Sequence, residues 1–318
     1  MQTSLSSRWI HGLTLALVTA ILWGILPITM KEVLKGMDPF TVTWYRFTVA
    51  GIVLLIYLKG RKRLPSFKGI NKKSLLLALF AILGLLGNYV LYVIGLRYSD
   101  PSTAQLMMQI GQIILIITSV LIFKETFNYI QVAALVILLI GFLLFFNQHI
   151  IELFTSVNNY SVGIVILLIS SISWVIYALC QKKLLAQWSA MQILLMVYIG
   201  SSLLLFPLAQ PKQIVNLSNV QFWLLVFSCL NTIVAYGAFA EALAYWEASK
   251  VTAILAIAPL VTLIGVTIGS VLWPAYIISQ SLNILAYAGA IIVVMASALV
   301  ALSPIIIKEI KTLRKVHK

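Results

Sequence analysis

Between residues 251 and 307 the chain carries no charged side chain. An α-helix rises about 1.5 Å per residue, so a single helix of that length would extend about 85 Å. The hydrocarbon layer of a bilayer is only about 30 Å thick. The run must therefore turn back on itself, and Trp273-Pro274 with the polar cluster Ser279, Gln280, Ser281 and Asn283 marks the turn.

The same length rule divides the rest of the chain. Uncharged runs cover residues 11–30, 75–96, 102–123, 126–146, 161–181, 190–208 and 220–240, and residues 40–58 form one more, interrupted only by Arg46. With the long run counted twice, the sequence predicts an all-α membrane protein of ten transmembrane helices. Composition agrees: 62% of the residues are hydrophobic and 9% charged, which leaves a soluble domain too little polar surface. A net charge of +14 raises nucleic acid as a partner. The basic residues, however, sit in short connecting segments and a tail, so no nucleic-acid partner is expected and membrane lipids are.

Lys and Arg concentrate on the cytoplasmic side of membrane proteins. With the amino terminus inside, seventeen of the twenty-two fall on cytoplasmic segments: Arg8, seven between residues 59 and 73, Lys124, Lys182, Lys183, Lys250 and five in the tail. Only Lys31, Lys35, Arg97 and Lys212 fall opposite, and Arg46 lies within a span. Both termini are thus expected in the cytoplasm, with the protein integral to the cytoplasmic (inner) membrane. The first apolar run lacks a small-residue cleavage pattern and continues through Trp23, Pro27 and Lys31, so it reads as a retained helix. Cys180 and Cys229 fall inside spans, as small buried side chains.

At a shift of about 150 the chain weakly matches itself. Trp23 meets Trp174 and Lys31 meets Lys182, then Tyr89 meets Tyr236, Leu96 meets Leu243 and Tyr98 meets Tyr245. The unit is five helices long, an odd number, so the second copy enters the membrane from the opposite side. Two inverted five-helix repeats around a central cavity follow, over residues 1–147 and 161–318, with 148–160 as an external linker. That construction places a small-molecule site between the halves, near the midplane.

The chain resembles the EamA-type branch of the drug/metabolite transporter superfamily. The resemblance rests on Trp23-Gly24 with Pro27, on Pro39 and Arg46, on Gly95-Leu96-Arg97-Tyr98-Ser99 leading into Ser102-Thr103-Ala104, and on Lys124-Glu125 followed by Gly141. In the second half it continues at Trp174, Ala242-Leu243-Ala244-Tyr245 and Pro259. It implies a ten-helix bundle that carries amino acids, nucleobases, sugars or other small metabolites without ATP, and it implies no cofactor. Two positions depart from the family pattern: Gln112 stands where many such sequences have proline, and Val271-Leu272-Trp273-Pro274 lacks the acid that corresponds to Glu125.

Polar groups within the hydrocarbon are costly unless partnered or hydrated, so each is a candidate. Gln105, Gln109 and Gln112 stand at i, i+4 and i+7, on one face of an apolar helix. Their amides offer neutral donors and acceptors to a polar cargo. Trp23, Trp174, Tyr89 and Tyr236 lie near the middle of their spans, away from the interfaces that anchoring aromatics prefer. Asn88, Tyr92, Tyr177 and Asn231 complete the expected substrate-binding set. Arg46, roughly 10 Å into its helix, needs a counter-charge, and Glu32 is the expected partner in an outer gate. Lys31 shares a face with Trp23 and is expected to attract an anionic group. Glu241 is the expected proton-coupling acid, on the premise that it is buried. Gly265 and Gly269 predict close helix packing, within the bundle or across a homodimer.

The three histidines, His11, His149 and His317, all flank spans, and no nucleophile or metal motif accompanies them. The expected function is therefore not enzymatic. It is secondary transport of a small polar or amphipathic metabolite, foremost an amino acid. Nucleobase, nucleotide-derived or other metabolite cargo is the alternative, and a non-transporting membrane scaffold the more distant one.

Overall fold

The computed structural model describes residues 2–66, 71–123, 128–149, 158–246 and 248–316. Lys124, Glu125 and most of the linker between the two halves lie outside them. The described chain is helical: α1 (Gln2–Val33), α2 (Pro39–Gly60), α3 (Lys72–Tyr98), α4 (Pro101–Phe123), α5 (Tyr129–Phe145), α6 (Asn159–Leu184), α7 (Ala190–Leu205), α8 (Asn219–Tyr245), α9 (Ala248–Leu255), α10 (Ala258–Leu272) and α11 (Ile284–Val316). A 3-10 turn, Pro211–Asn216, bridges α7 and α8. Seven described segments are long and apolar enough to cross a membrane, one of them running from α9 through α10, and α5 and α7 are shorter apolar helices.

Each helix start must satisfy N–H groups that have no partner within the helix. The sequence supplies a short polar side chain at most of these points. Asp38 accepts from Phe40 and Thr41 at the start of α2, and Asn71 accepts from Ser74 in α3. Asn128, Asn158, Ser189 and Ser218 open α5, α6, α7 and α8, each exchanging hydrogen bonds with the residue three positions on.

Two long antiparallel seams hold the bundle together. Along the first, Gly84 of α3 faces Tyr177 and Ser173 of α6, and Gly95 faces Leu167 and Gly163. A Cβ on Gly84 would stand 2.8 Å from the Tyr177 backbone nitrogen, so only glycine allows the approach. Between them Asn88 Nδ2 donates to Ser170 O and Oγ at 3.1 and 3.0 Å, and Ser170 Oγ donates back to Asn88 O at 2.9 Å. Along the second seam, Thr19 Oγ1 of α1 donates to Ala235 O of α8 at 3.3 Å and Asn231 Nδ2 donates to Leu22 O at 2.6 Å. Farther along, Gln221 Nε2 donates to Glu32 O at 3.4 Å. A third close contact joins α5 to α11, where a Cβ on Gly289 would meet the backbone of Phe145 and Gly141. At one end of the bundle Lys31 Nζ donates to Leu96 O, Arg97 O and Ser99 O at 2.8, 3.1 and 2.6 Å. The carboxyl ends of α1 and α3 therefore share a face, and α6, antiparallel to α3, ends on the other.

The buried apolar side chains form two large clusters, one around Met30, Leu96 and Leu106 and one around Phe47, Leu85 and Tyr198, with a smaller one near Ala16 and Ala242. Outward-facing positions such as Ile56, Leu79, Leu139, Leu203 and Ile268 are also apolar. So extensive an apolar outer surface suits contact with lipid rather than water.

The long uncharged run turns between α10 and α11, at residues 273–283, as its sequence predicts. It also breaks where no break was expected, at Ala256 and Ile257. Pro259 is the physical cause: it has no N–H to donate and its ring collides with the carbonyl four residues back. Gln112 stands at the aligned position of the first half, and there α4 runs without interruption. Gly265 and Gly269 face Ile28 and Ile277 of the same chain, so close packing at both is intramolecular.

A central cavity as the candidate functional site

A cavity opens between the two large clusters, its free space, mouth included, amounting to ≈ 820 Å³. Nine of the eleven residues expected to bind substrate line it: Trp23 from α1, Asn88, Tyr89 and Tyr92 from α3, Gln105, Gln109 and Gln112 from α4, Trp174 from α6 and Tyr236 from α8. Arg46 joins them from α2, and Leu26, Met108, Leu255 and Ala258 supply the remaining wall. The last two flank the break between α9 and α10, a contribution that periodicity does not reveal.

Helical spacing explains the convergence on α4. Residues at i, i+4 and i+7 fall on one stripe, and that stripe faces the cavity. The three amides are not equivalent. Gln105 Oε1 accepts from Tyr92 OH at 3.2 Å, whereas Gln109 is buried and its Oε1 has no hydrogen-bond partner. Asn88 is committed to the seam with Ser170. The rings of Trp23 and Tyr236 meet edge to face, with centroids 5.3 Å apart.

Two expected residues are elsewhere. Tyr177 is buried in the apolar cluster beneath the cavity, and Asn231 is taken up by Leu22 O in the α1–α8 seam. Both lie on the right helices but on faces turned toward a neighbour.

The expected gating set also needs correction. Arg46 is 2% exposed and does not pair with Glu32. Its Nε donates to Thr232 Oγ1 at 3.1 Å, and its guanidinium lies 4.6 Å from the centroid of the Tyr89 ring. Glu32 instead pairs with Lys35 at 2.5 Å, one turn along, and accepts from Gln221 Nε2 at 3.3 Å. A local partner at i+3 outcompetes a distant one, because bringing it close costs less chain and side-chain entropy. Lys31, expected to face the cargo, caps the carboxyl end of α3, where its charge complements the helix dipole. Glu241 is exposed near the end of α8, so the burial expected of a coupling acid is absent and the cavity wall does not include it.

Two further hollows flank the cavity. One, ≈ 650 Å³, lies among α2, α7 and α8 and shares Tyr236 with the central cavity. The other, ≈ 1030 Å³, is lined by Lys31, Lys35, Arg97, Asp100 and Gln280. There Gln280 ties the 273–283 turn to the start of α4, donating to Asp100 Oδ1 at 2.9 Å and accepting from Ser102 Oγ at 2.7 Å. The sequence marks this segment only as a turn, and a lone amide in a polar loop gives no signal for such a bridge.

Residues 10–147 and, separately, 161–302 match the sequence profile of the EamA-like transporter family. The "Uncharacterized inner membrane transporter YhbE" of Escherichia coli (strain K12) is 41% identical over 284 residues, covering 89% of this chain and 88% of its own length. An "Uncharacterized transporter" of Haemophilus influenzae is 36% identical over 291 residues, covering 92% and 94%. One solved crystal structure superposes with a TM-score of 0.60 at 18% identity, covering 93% of this chain and 97% of that one, a likeness of fold alone.

Proposed function

The chain belongs to the EamA-like transporter family, and from that premise we propose that it is a secondary transporter whose cargo sits in the central cavity and reaches each side of the cytoplasmic membrane in turn. The cargo is a small polar or amphipathic metabolite, foremost an amino acid. The observation that carries this reading is the convergence on one cavity of nine polar and aromatic residues drawn from five helices, each marked by the sequence as substrate-binding. A scaffold has no use for a buried cavity-wall oxygen left without a partner, as Gln109 Oε1 is.

The proposed architecture is ten spans in two inverted halves, with both termini cytoplasmic. Three observations support it: the paired seams α3–α6 and α1–α8, the opposite exit faces of α1 and α6, and the family profile matching each half in succession.

The test is flux into vesicles containing the purified protein, with labelled amino acids and nucleobases on either side. For any cargo that moves, Gln109→Ala and Trp174→Ala are each expected to cut the rate by about tenfold or more, the scale of a lost charge-free hydrogen bond plus its packing. Unchanged rates in both variants would remove the site assignment.

A further inference from the structure

The central cavity has one charge in its wall. Among the described residues that line it, Arg46 is the sole cation and none is acidic. A guanidinium carries five N–H donors, and here one of them, on Nε, is used inside the protein, by Thr232. Its face is covered by the Tyr89 ring. Among the described residues its two terminal nitrogens make no hydrogen bond, and no carboxylate lies within ion-pairing distance. A buried cation without a counter-ion is expensive, and the expense falls away when an anion enters beside it.

Other groups in the same wall bear on this. Leu255 ends α9 and Ala258 opens α10, so the negative end of one helix dipole meets the positive end of the next there, and Arg46 sets the sign of the wall. Gln109, 3% exposed, brings an acceptor oxygen with no partner. Trp23 and Trp174 add flat apolar faces.

We infer that the cargo is taken up as a net monoanion, its carboxylate on the terminal nitrogens of Arg46, its apolar or aromatic body between the tryptophans, and any neutral N–H or O–H on Gln109 Oε1. The inference rests on the transporter reading and narrows it: of the amino acids, only those with an acidic side chain are net monoanions and remain as cargo. A monoanion neutralises the site, a zwitterion leaves one net positive charge in low dielectric, and a cation raises it to two. Arg46 is then a cargo ligand and not half of a gate. The planar fork of arginine suits a carboxylate, which it holds through two parallel hydrogen bonds.

Three probes with the same phenyl body separate the cases: 3-phenylpropionate, phenylalanine and phenethylamine, titrated calorimetrically into the purified full-length protein in nanodiscs. Phenylpropionate is expected to bind at least about tenfold more tightly than phenylalanine, with phenethylamine weakest. Arg46→Gln is expected to erase the preference, and Arg46→Lys to keep its order at lower affinity. The wild-type ranking needs no variant, so misfolding of either one leaves the inference testable. Equal or tighter binding of the zwitterion or the cation overturns it, and so does an absence of phenylpropionate binding at millimolar concentration. Vesicle flux with the same preparation separates the two readings. Movement of a neutral or zwitterionic cargo without anion binding sinks the charge assignment and leaves transport standing. Anion binding with no flux of any tested cargo, phenylpropionate included, does the reverse.

Discussion

The guanidinium of Arg46, on α2, lies 4.6 Å from the centroid of the Tyr89 ring on α3. That contact fixes a cation deep in the bundle by an aromatic face, and the face can be tested apart from the hydroxyl. Tyr89→Phe keeps the ring and removes the phenol, while Tyr89→Leu removes the ring. The leucine variant is expected to lose about 1–3 kcal/mol of stability, a desolvated cation–π contact plus a packing defect. The phenylalanine variant should lose less than half as much. Thermal unfolding in one detergent measures both, and equal losses would show that the ring face is not what holds the arginine.

Asn88 and Gln109 both line the cavity, yet their hydrogen bonding separates them. Asn88 donates twice to Ser170 across the α3–α6 seam, whereas Gln109 Oε1 has no internal partner. Asn88→Ala is expected to lower stability by about 1–2 kcal/mol, within the range for polar contacts between membrane helices. Gln109→Ala should leave the unfolding temperature within about 2 °C, the shift that about 0.5 kcal/mol produces, while reducing cargo affinity. The reverse pattern would exchange their roles.

Glycines that lack space and glycines that have it should respond with opposite signs. A Cβ on Gly289 would strike the backbone of α5, where no side chain can move aside, while one on Gly237 meets nothing within 4 Å. Gly289→Ala is expected to cost about 1–3 kcal/mol or prevent folding. Gly237→Ala, within α8, is expected to gain up to about 1 kcal/mol from helix propensity. An unchanged stability in Gly289→Ala would contradict the packing described for α5 and α11, and a loss in Gly237→Ala the open space beside α8.

Orientation is checked by labelling single cysteines. Cys180 and Cys229 are buried, so background labelling by an impermeant maleimide is expected to be low. Asn216→Cys, in the exposed turn before α8, should label in intact cells, and Arg61→Cys, exposed after α2, only after permeabilisation. Both labelling from the same side would refute the proposed topology.

Helix positions were legible in the sequence because a physical constant, the thickness of the hydrocarbon, sets their length. The glutamine stripe was legible for a similar reason: three polar residues in register on an apolar helix need a common polar surrounding. Rotation was harder to read. Tyr177 and Asn231 occupy the expected helices, but which neighbour a side chain meets depends on how the helices pack, and one sequence does not encode that locally. Charge pairing misled for a different reason. Glu32 has Lys35 one turn away, and the carboxylate took that near partner over Arg46. The break at Ala256 and Ile257 had its signal in Pro259, but a run read only for charge and length passes over it.

The α3–α6 and α1–α8 seams each join a helix of the first half of the chain to one of the second. Buried hydrogen bonds cross both seams, and glycines bring the backbones of α3 and α6 into contact, so sliding within either pair is costly. The mechanical units therefore do not coincide with the repeated stretches of sequence. Each seam is thus a hybrid of the two halves, and in the proposed transport cycle the rocking that exposes the cavity runs along joints between such hybrids.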